Sequence, residues 1–398
     1  MKNRLKKFML NLPGIRSIVW RFQKQDRRLT GQDKRITQLE QKYIKLFLHM
    51  DKVHKESERQ MKDEIEKIWE QLGSLRQENE RLQRWKEEYQ NNSANQIQGI
   101  RDWCVRLEKD DKYYYYKGLV PERYEKELGK WFKERTGEEL ELEHPKTYNQ
   151  IIQWTKLKDI DALKIRLANK YLVRDWVAER IGEKYLIPLL GVWENFDDID
   201  FDQLPDKFAL KANHGCGYNV IVKDKETFNR LEARRKFNKW LDTDFAFVYG
   251  FEIQYSYILP RIIAEEYLEN QNEELNDYKV FCFNGKAKYI MFLTNRSEKL
   301  KMAFYDTEWN LQPFTYTFER YETSVEPPEN LQELIEISES LAKDFVQVRV
   351  DFYRTNAGEW KFGEMTFTTS SGTCKWNPPE YNEILGGMIH IDEKKLAD

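Results

Sequence analysis

Val346-Gln347-Val348-Arg349-Val350-Asp351-Phe352, followed by Trp360-Lys361-Phe362-Gly363-Glu364-Met365-Thr366-Phe367, decides the fold of this chain. The apolar strand Val346 to Val350 ends at Asp351, and Glu364 lies thirteen positions later on a second strand. Residues Tyr353 to Glu359 would join the two as a hairpin with both carboxylates at one end. Paired carboxylates are what Mg²⁺ requires when it also takes phosphate oxygens. Arg349 alternates with Asp351, so both face one side of the sheet, and an Arg there can pair with the carboxylate or contact a phosphate. Thr366 shares the face of Glu364, and Ser370-Ser371-Gly372 adds hydroxyls and a flexible loop beyond it. In isolation, a salt-bridged strand surface would carry the same pattern.

Working outward, short strands are predicted from residue 207 onward. Lys207 to Lys211 and Tyr218 to Lys223 flank His214-Gly215-Cys216-Gly217, a strand–turn–strand. Glycine lets backbone N–H groups approach a phosphate, and Lys211 adds positive charge. No GxxxxGK[ST] occurs and no helix follows the glycines, so this is not a Walker loop, and an ordinary glycine hairpin would look alike. Further strands are predicted over Arg261 to Leu268, Asp277 to Phe283 and Lys286 to Leu293, with Asn284-Gly285 as a hairpin turn. Residues 329–343 read as an amphipathic helix. Residues 100–200 read as mostly helical, including 171–182 with Gly182 as its stop. Strands mixed with helices after a helical stalk give an α+β fold class.

Seven segments together resemble the TupA-like ATP-grasp family over residues 140–390. They are Pro145-Lys-Thr-Tyr-Asn149, Asn169-Lys170-Tyr171-Leu172-Val173-Arg174, Lys211-Ala-Asn-His214-Gly215-Cys-Gly217-Tyr-Asn219, Glu265-Glu266-Tyr267-Leu268, Asp277-Tyr278-Lys279, Arg349-Val350-Asp351-Phe352 and Phe362-Gly363-Glu364-Met-Thr366-Phe367. The resemblance implies a catalytic region over 96–390, with a nucleotide lid over 205–265, metal strands over 345–370 and a tail at 391–398. It implies ATP and Mg²⁺ as cofactors. Lys170 and Lys211 would contact phosphates under a lid formed by His214, Gly215, Gly217 and Asn219. Glu265, Glu266, Tyr267 and Leu268 would form the adenine hinge, with Glu266 nearest the ribose. Asp351, Glu364 and Thr366 would hold the metal. Arg349, Ser370 and Ser371 would face the transferred phosphate or the acceptor. Lys279 would bind a phosphate or the substrate carboxylate.

The implied reaction is carboxylate–amine ligation through an acyl phosphate, and the implied substrates are a carboxylate-bearing glycan or its precursor and an amine, in bacterial surface polysaccharide formation. A sugar phosphotransferase at the same site and a non-catalytic scaffold are the competing readings. Such a ligase works by positioning and charge neutralisation rather than a side-chain nucleophile, which agrees with the lack of a convincing Ser-His-Asp or Cys-His set. Two positions depart from the family pattern: Gln150-Ile151 stands where Glu-Lys is usual, and Asn169 where Asp often precedes the lysine.

The rest of the chain bounds the answer. It has 398 residues with 65 basic and 68 acidic, 33% charged, and 12 Trp, 22 Tyr and 22 Phe. That aromatic content excludes wholesale disorder, and a net charge of -3 gives no global drive toward nucleic acid. Cys104, Cys216, Cys282 and Cys374 are too far apart in sequence for a CxxC zinc site and read as reduced thiols. Residues 1–28 carry nine Lys and Arg against one Asp, with Phe8, Trp20 and Phe22 among them. This reads as a contact with an anionic membrane surface or as a basic lead-in to a coiled coil. From 29 to 95 apolar residues at alternating spacings of three and four predict a coiled coil. Its second stripe is Ile65, Ile68, Leu72, Leu75, Asn79 and Leu82, and it predicts a homo-oligomer. A cytoplasmic protein, peripheral on the inner face of the membrane, is expected. The run Tyr113 to Tyr116 has no assigned role.

Overall fold

A computed structural model describes residues 35, 38–39, 41–42, 67–68, 70–84 and 111–398, apart from 269–275, 295–300, 317, 322–323 and 398. The chain divides into two units, Met1–Lys109 and Asp110–Asp398. In the first, residues 70–84 are helical. Their shielded positions, with Ile68 before them, are Leu72, Leu75, Asn79 and Leu82, which follow the predicted stripe. Residues 1–28, the rest of the coiled coil predicted over 29–95 and Cys104 lie outside the described residues. Among the described residues no helix is long and apolar enough to cross a membrane.

The second unit is built on two sheets, antiparallel throughout except for the parallel pairing of Glu319–Arg320 with Lys301–Met302 at one edge. The four-stranded sheet has the order β1-β4-β2-β3, from β1 (Leu189–Trp193), β2 (Phe208–Ala212), β3 (Asn219–Val222) and β4 (Ile262–Glu266). The six-stranded sheet joins β5 (Asn276–Phe283), β6 (Lys286–Thr294), β7 (Lys301–Tyr305), β9 (Glu319–Arg320), β10 (Gln347–Arg354) and β11 (Trp360–Thr366), ordered β11-β10-β5-β6-β7-β9. Short β8 (Thr315–Tyr316) pairs with β12 (Trp376–Asn377). Asn284 and Gly285 make the β5–β6 turn with positive φ of 48° and 76°, as the Asn-Gly pair requires.

Period-two alternation sorts the six-stranded sheet into two faces. Tyr278, Val280, Cys282, Val348, Val350 and Phe352 point to one side. There they bury against α4 (Val173–Arg180) and α6 (Leu331–Ala342) through Val177, Leu334 and Leu341. Phe281, Phe283, Met291 and Phe304 point to the other side, under α2 (Tyr148–Leu157) and α7 (Tyr381–Gly387). Further along that same side Asp277, Lys279, Arg349 and Asp351 replace the apolar residues. One face is therefore all core, and the other is half core and half charge. Apart from these, α1 (Tyr124–Thr136) and α3 (Ala162–Ala168) precede the sheets. α5 (Arg230–Leu241) buries Ala233 and Phe237 against Phe208 and Ile262 of the small sheet.

Several sequence expectations change here. β1 falls in the stretch read as helical, because its apolar run has no polar alternation to mark a strand. Asp351 does not end its strand: β10 runs three residues further, to Arg354. The hinge strand stops at Glu266, so Tyr267 and Leu268 lie beyond it. The tetra-tyrosine run gains a structural role: Tyr116 is buried against Phe251, and the Tyr113 hydroxyl accepts from the Asp244 backbone. Neither departure from the family pattern reaches the charged face. Gln150 completes a capping box with Thr147 at the start of α2. Ile151 is core, and the Asn169 carbonyl oxygen accepts from Tyr171, Leu172 and Asn213.

The same helix start receives α7 so closely that a Cβ on Gly386 would lie 2.1 Å from the Lys146 carbonyl oxygen. Backbone cannot give way as a side chain can, so Gly386→Ala is expected to lose about 1–3 kcal/mol. At Gly387 an added Cβ meets nothing within 4 Å, so Gly387→Ala should not lose stability. Denaturant midpoints of the two variants check this. Equal midpoints would mean that the α7 contact relaxes freely.

Candidate active site

The charged half of the sheet is assembled by strand register. Asp351 of β10 stands directly opposite Glu364 of β11 and Lys279 of β5, and Arg349 stands opposite Thr366. The hairpin is not regular: between Asp351–Glu364 and Phe352–Phe362 the register slips by one residue, leaving Gly363 as the extra residue of a bulge. A Cβ at Gly363 would sit 3.1 Å from the Asp351 carbonyl oxygen and 3.2 Å from the Tyr353 ring. Glycine permits this close bulge, which brings Glu364 and Thr366 onto the face of Arg349 and Asp351.

Arg349 links the cluster. Its Nε and Nη2 donate to the two Asp351 oxygens at 2.7 and 2.8 Å, a bidentate fork. Nη2 also reaches Glu364 Oε1 at 3.2 Å and Thr366 Oγ1 at 3.1 Å. Thr366 donates to Glu364 at 3.0 Å. Lys279 bonds Asp351 on its other side and Asp277 at 2.9 Å. Lys170 enters from the segment between α3 and α4. Its backbone N–H bonds Asn213 beside the small sheet, and its Nζ reaches Glu364 Oε2 on the large one at 2.9 Å. Burial by itself would raise the Glu364 carboxyl. Lys170, Arg349 and Lys279 outweigh it and hold Glu364 well below the usual carboxylate range. The Glu364 carboxylate is thus ionised, and both carboxylates are already arranged around cations.

A second group lies on the small sheet. Glu265 of β4 accepts from Lys211 Nζ at 2.6 Å and from Arg174 at 3.1 Å. Beyond β2 the chain turns through Gly215 and Gly217, at φ 148° and 75°. A Cβ on Gly215 would strike the Phe245 ring at 2.7 Å, so the loop needs glycine there for space as well as conformation. Cys216 at its tip lines a cavity of about 380 Å³ together with Arg349, Glu364, Thr366, Ser370 and Ser371. Burial, with Glu364 adding to it, pushes the Cys216 thiol up, away from a nucleophilic thiolate.

Most of the expected site residues therefore converge: Lys170, Lys279, Arg349, Asp351, Glu364 and Thr366 form one network, and Lys211 and Glu265 another. His214, Ser371, Glu266 and Asn219 stand apart from both networks. His214 is a buried ring under the loop, its Nε2 3.0 Å from the Trp240 carbonyl, with burial lowering its pKa. Its ring packs edge-on against Tyr218 beneath the loop. Ser371 donates its hydroxyl to the Tyr249 carbonyl, which holds a loop, while Ser370 lines the cavity. Both serines sit at left-handed φ, 47° and 51°, a strained pair at the cavity rim. Glu266 is exposed at the end of β4, and Asn219 is exposed at the start of β3.

Sequence reading missed Glu252, Lys156, Arg174, Trp131 and Tyr249. Glu252 sits before a short 3₁₀ segment and Tyr249 lies just upstream, where no periodicity marks either. Lys156 lies in a helix whose face is otherwise core, and a buried lysine in such a face was the available signal.

The donor set suits Mg²⁺. Among the described residues no cluster of three His, Cys, Asp or Glu side chains could hold a metal by itself. Two facing carboxylates with one hydroxyl offer hard oxygens and leave positions for water or phosphate oxygens, which is how Mg²⁺ is usually held.

A glycine loop from one antiparallel sheet, set toward a carboxylate pair on another, defines the ATP-grasp class of fold. The chain belongs to the TupA-like ATPgrasp family, whose sequence profile matches residues 150–390. Solved structures with a similar fold include D-alanyl-alanine synthetase A from Vibrio cholerae, at 14% identity over 63% of this chain and 70% of that one, TM-score 0.35. D-alanine–D-alanine ligase from Bacillus anthracis is similar at 15% identity over 56% and 65%, TM-score 0.32. The N5-carboxyaminoimidazole ribonucleotide synthetase purK is similar at 13% identity over 55% of this chain, TM-score 0.34, and this chain spans 50% of its length. No curated protein sequence matches this one.

Proposed function

We propose that this protein is an ATP-dependent carboxylate–amine ligase that uses Mg²⁺ and amidates a uronic acid of a bacterial surface polysaccharide or its precursor with an amino compound. The substrate carboxylate attacks the γ-phosphorus of ATP and ADP leaves. The amine nitrogen then attacks the carbonyl carbon of the acyl phosphate and phosphate leaves. Lys170 and Lys211 bind the nucleotide phosphates with the Gly215–Gly217 loop above them. Asp351 and Glu364 hold Mg²⁺, which neutralises phosphate charge when bound. Arg349 fixes the orientation of both carboxylates, and its guanidinium borders the cavity where the acyl phosphate would form.

The observation that carries this reading is the register-matched pair Asp351 and Glu364, ringed by Lys170, Lys279 and Arg349, with Glu364 and Arg349 lining a cavity. Preorganised charge of this kind can serve phosphoryl transfer without a nucleophilic side chain. Calorimetry of the full chain with ATP tests it: Mg²⁺ should tighten binding by about tenfold or more. Uronic acids and amino compounds are then screened together for phosphate release. Phosphate with an amide product supports the ligase. A phosphorylated sugar would replace it with a phosphotransferase, and binding indifferent to Mg²⁺ would overturn the site assignment.

A further inference from the structure

Glu252 has surroundings unlike those of the other buried acids. Glu127, Asp159, Glu265, Asp277 and Asp351 are also buried, and each lies within ion-pair distance of a Lys or Arg. Glu252 is 5% exposed, and among the described residues it has no such partner. Its carboxylate accepts one hydrogen bond, from the Thr368 hydroxyl. The nearest cation, Lys156, is committed elsewhere. Its Nζ donates to the Gly250 and Ser371 carbonyls at 2.7 and 2.9 Å and lies 4.4 Å from the centre of the Trp131 ring. A buried carboxylate with no cation within ion-pair distance is disfavoured in a low-dielectric interior, so such a group is commonly held for a ligand.

The position of Glu252 gives that ligand an address. It lines the same cavity as Arg349 and Glu364, whose other walls include Tyr249 and Tyr255, together with Arg135 and Trp131, whose ring is already covered by Arg135 and Lys156. A carboxylate among aromatic rings is a recognition set for an ammonium group, pairing charge with π faces. Burial raises the Glu252 carboxyl above the usual carboxylate range, and the attraction of Lys156 opposes that shift. Glu364 adds a second negative charge on the cavity wall, where Arg349, paired with Glu364, and Arg135 supply the positive ones.

We infer that Glu252 docks the primary ammonium of the incoming amine in this cavity, on the acceptor side of the carboxylate pair. The inference rests on the ligase reading, because a phosphotransferase acting on a sugar hydroxyl needs no cation there. In this role Glu252 is a binding residue that sets which nucleophile is admitted, a charged amine over an alcohol of the same shape.

The test uses the full chain, saturated with ADP and Mg²⁺, and two probes, n-butylammonium and 1-butanol, titrated by ligand-observed NMR. Wild type should bind n-butylammonium at least about tenfold more tightly than 1-butanol. Glu252→Gln, which keeps an acceptor for Thr368, should lose that preference and keep its Mg²⁺–ADP affinity. Glu252→Asp, charged but shorter by one methylene, should fall between. Equal binding of the two probes by wild type overturns the inference without any variant. So does a preference that survives in Glu252→Gln. Loss of Mg²⁺-dependent ADP affinity in Glu252→Gln would move Glu252 into the metal site and also overturn it. If wild type binds no ADP, the ligase reading fails, and the two probes still decide the ammonium site on the nucleotide-free protein.

Discussion

Glu364→Gln is expected to lower ATP turnover by about 10³-fold, roughly 4 kcal/mol of transition-state stabilisation, while the protein stays folded. Glutamine keeps the size of the side chain and an acceptor for Thr366, so the bulge at Gly363 and its register are preserved. The Glu364 side chain is 26% exposed at the cavity wall and pairs with the more buried Lys170 and Arg349, so the variant also loses stability, which a urea midpoint measures apart from turnover. What changes is charge. The wild-type carboxylate, held below its usual range by those cations, is fully ionised at neutral pH and available to Mg²⁺. An amide oxygen is a much poorer ligand for so hard a cation. The signature has two parts that calorimetry separates. The gain in ATP affinity on adding Mg²⁺ should vanish. Affinity without Mg²⁺ should hold or rise, because one negative charge facing the phosphates is gone while Lys170 remains. A variant that keeps both its Mg²⁺ response and its turnover would remove Glu364 from the metal site.

The contrast between Glu364 and Glu252 shows what a single sequence carries. Asp351 and Glu364 were legible because each lies on a strand with alternating apolar neighbours, and alternation fixes the face that each side chain occupies. The sequence did not reveal the bulge that aligns them, since the reading placed both at a strand end. The structure puts them directly opposite each other, three residues before β10 finishes. Two-residue strands such as β8, β9 and β12 are too short to show a period, and β1 is apolar without alternation. Glu252 is further out of reach. Its meaning lies in the absence of a counter-ion, which depends on where Lys156, nearly a hundred positions earlier, spends its hydrogen bonds. His214 erred the other way. Its place beside two glycines implied a phosphate contact, yet its ring is fixed by the carbonyl of Trp240 in α5.

Arg349→Met is expected to cost about 3–5 kcal/mol of stability, the largest effect of any single change in the network. The side chain is 9% exposed and contacts two carboxylates and one hydroxyl at once. Methionine fills much of the volume, so the loss comes from charge rather than from a cavity. Asp351 keeps only Lys279, and Glu364 keeps only Lys170, while the two carboxylates still face each other across the strand pair. Arg349→Lys should recover part of the loss, because an ammonium restores charge without the two-pronged geometry. The pH dependence carries a definite sign. Glu364 is depressed in the folded wild type, so the stability it contributes is present above its ordinary value of 4.5 and is lost only as pH falls below it. Without Arg349 the folded Glu364 carboxylate takes up its proton more readily, so below about 4.5 the variant binds more protons than wild type. The stability gap between them should therefore hold from pH 7 to about 4.5 and narrow as pH falls from there toward about 3. Urea midpoints of both proteins across that range measure it. A gap that stays constant with pH would show that Arg349 stabilises the fold by packing rather than by holding the two carboxylates together.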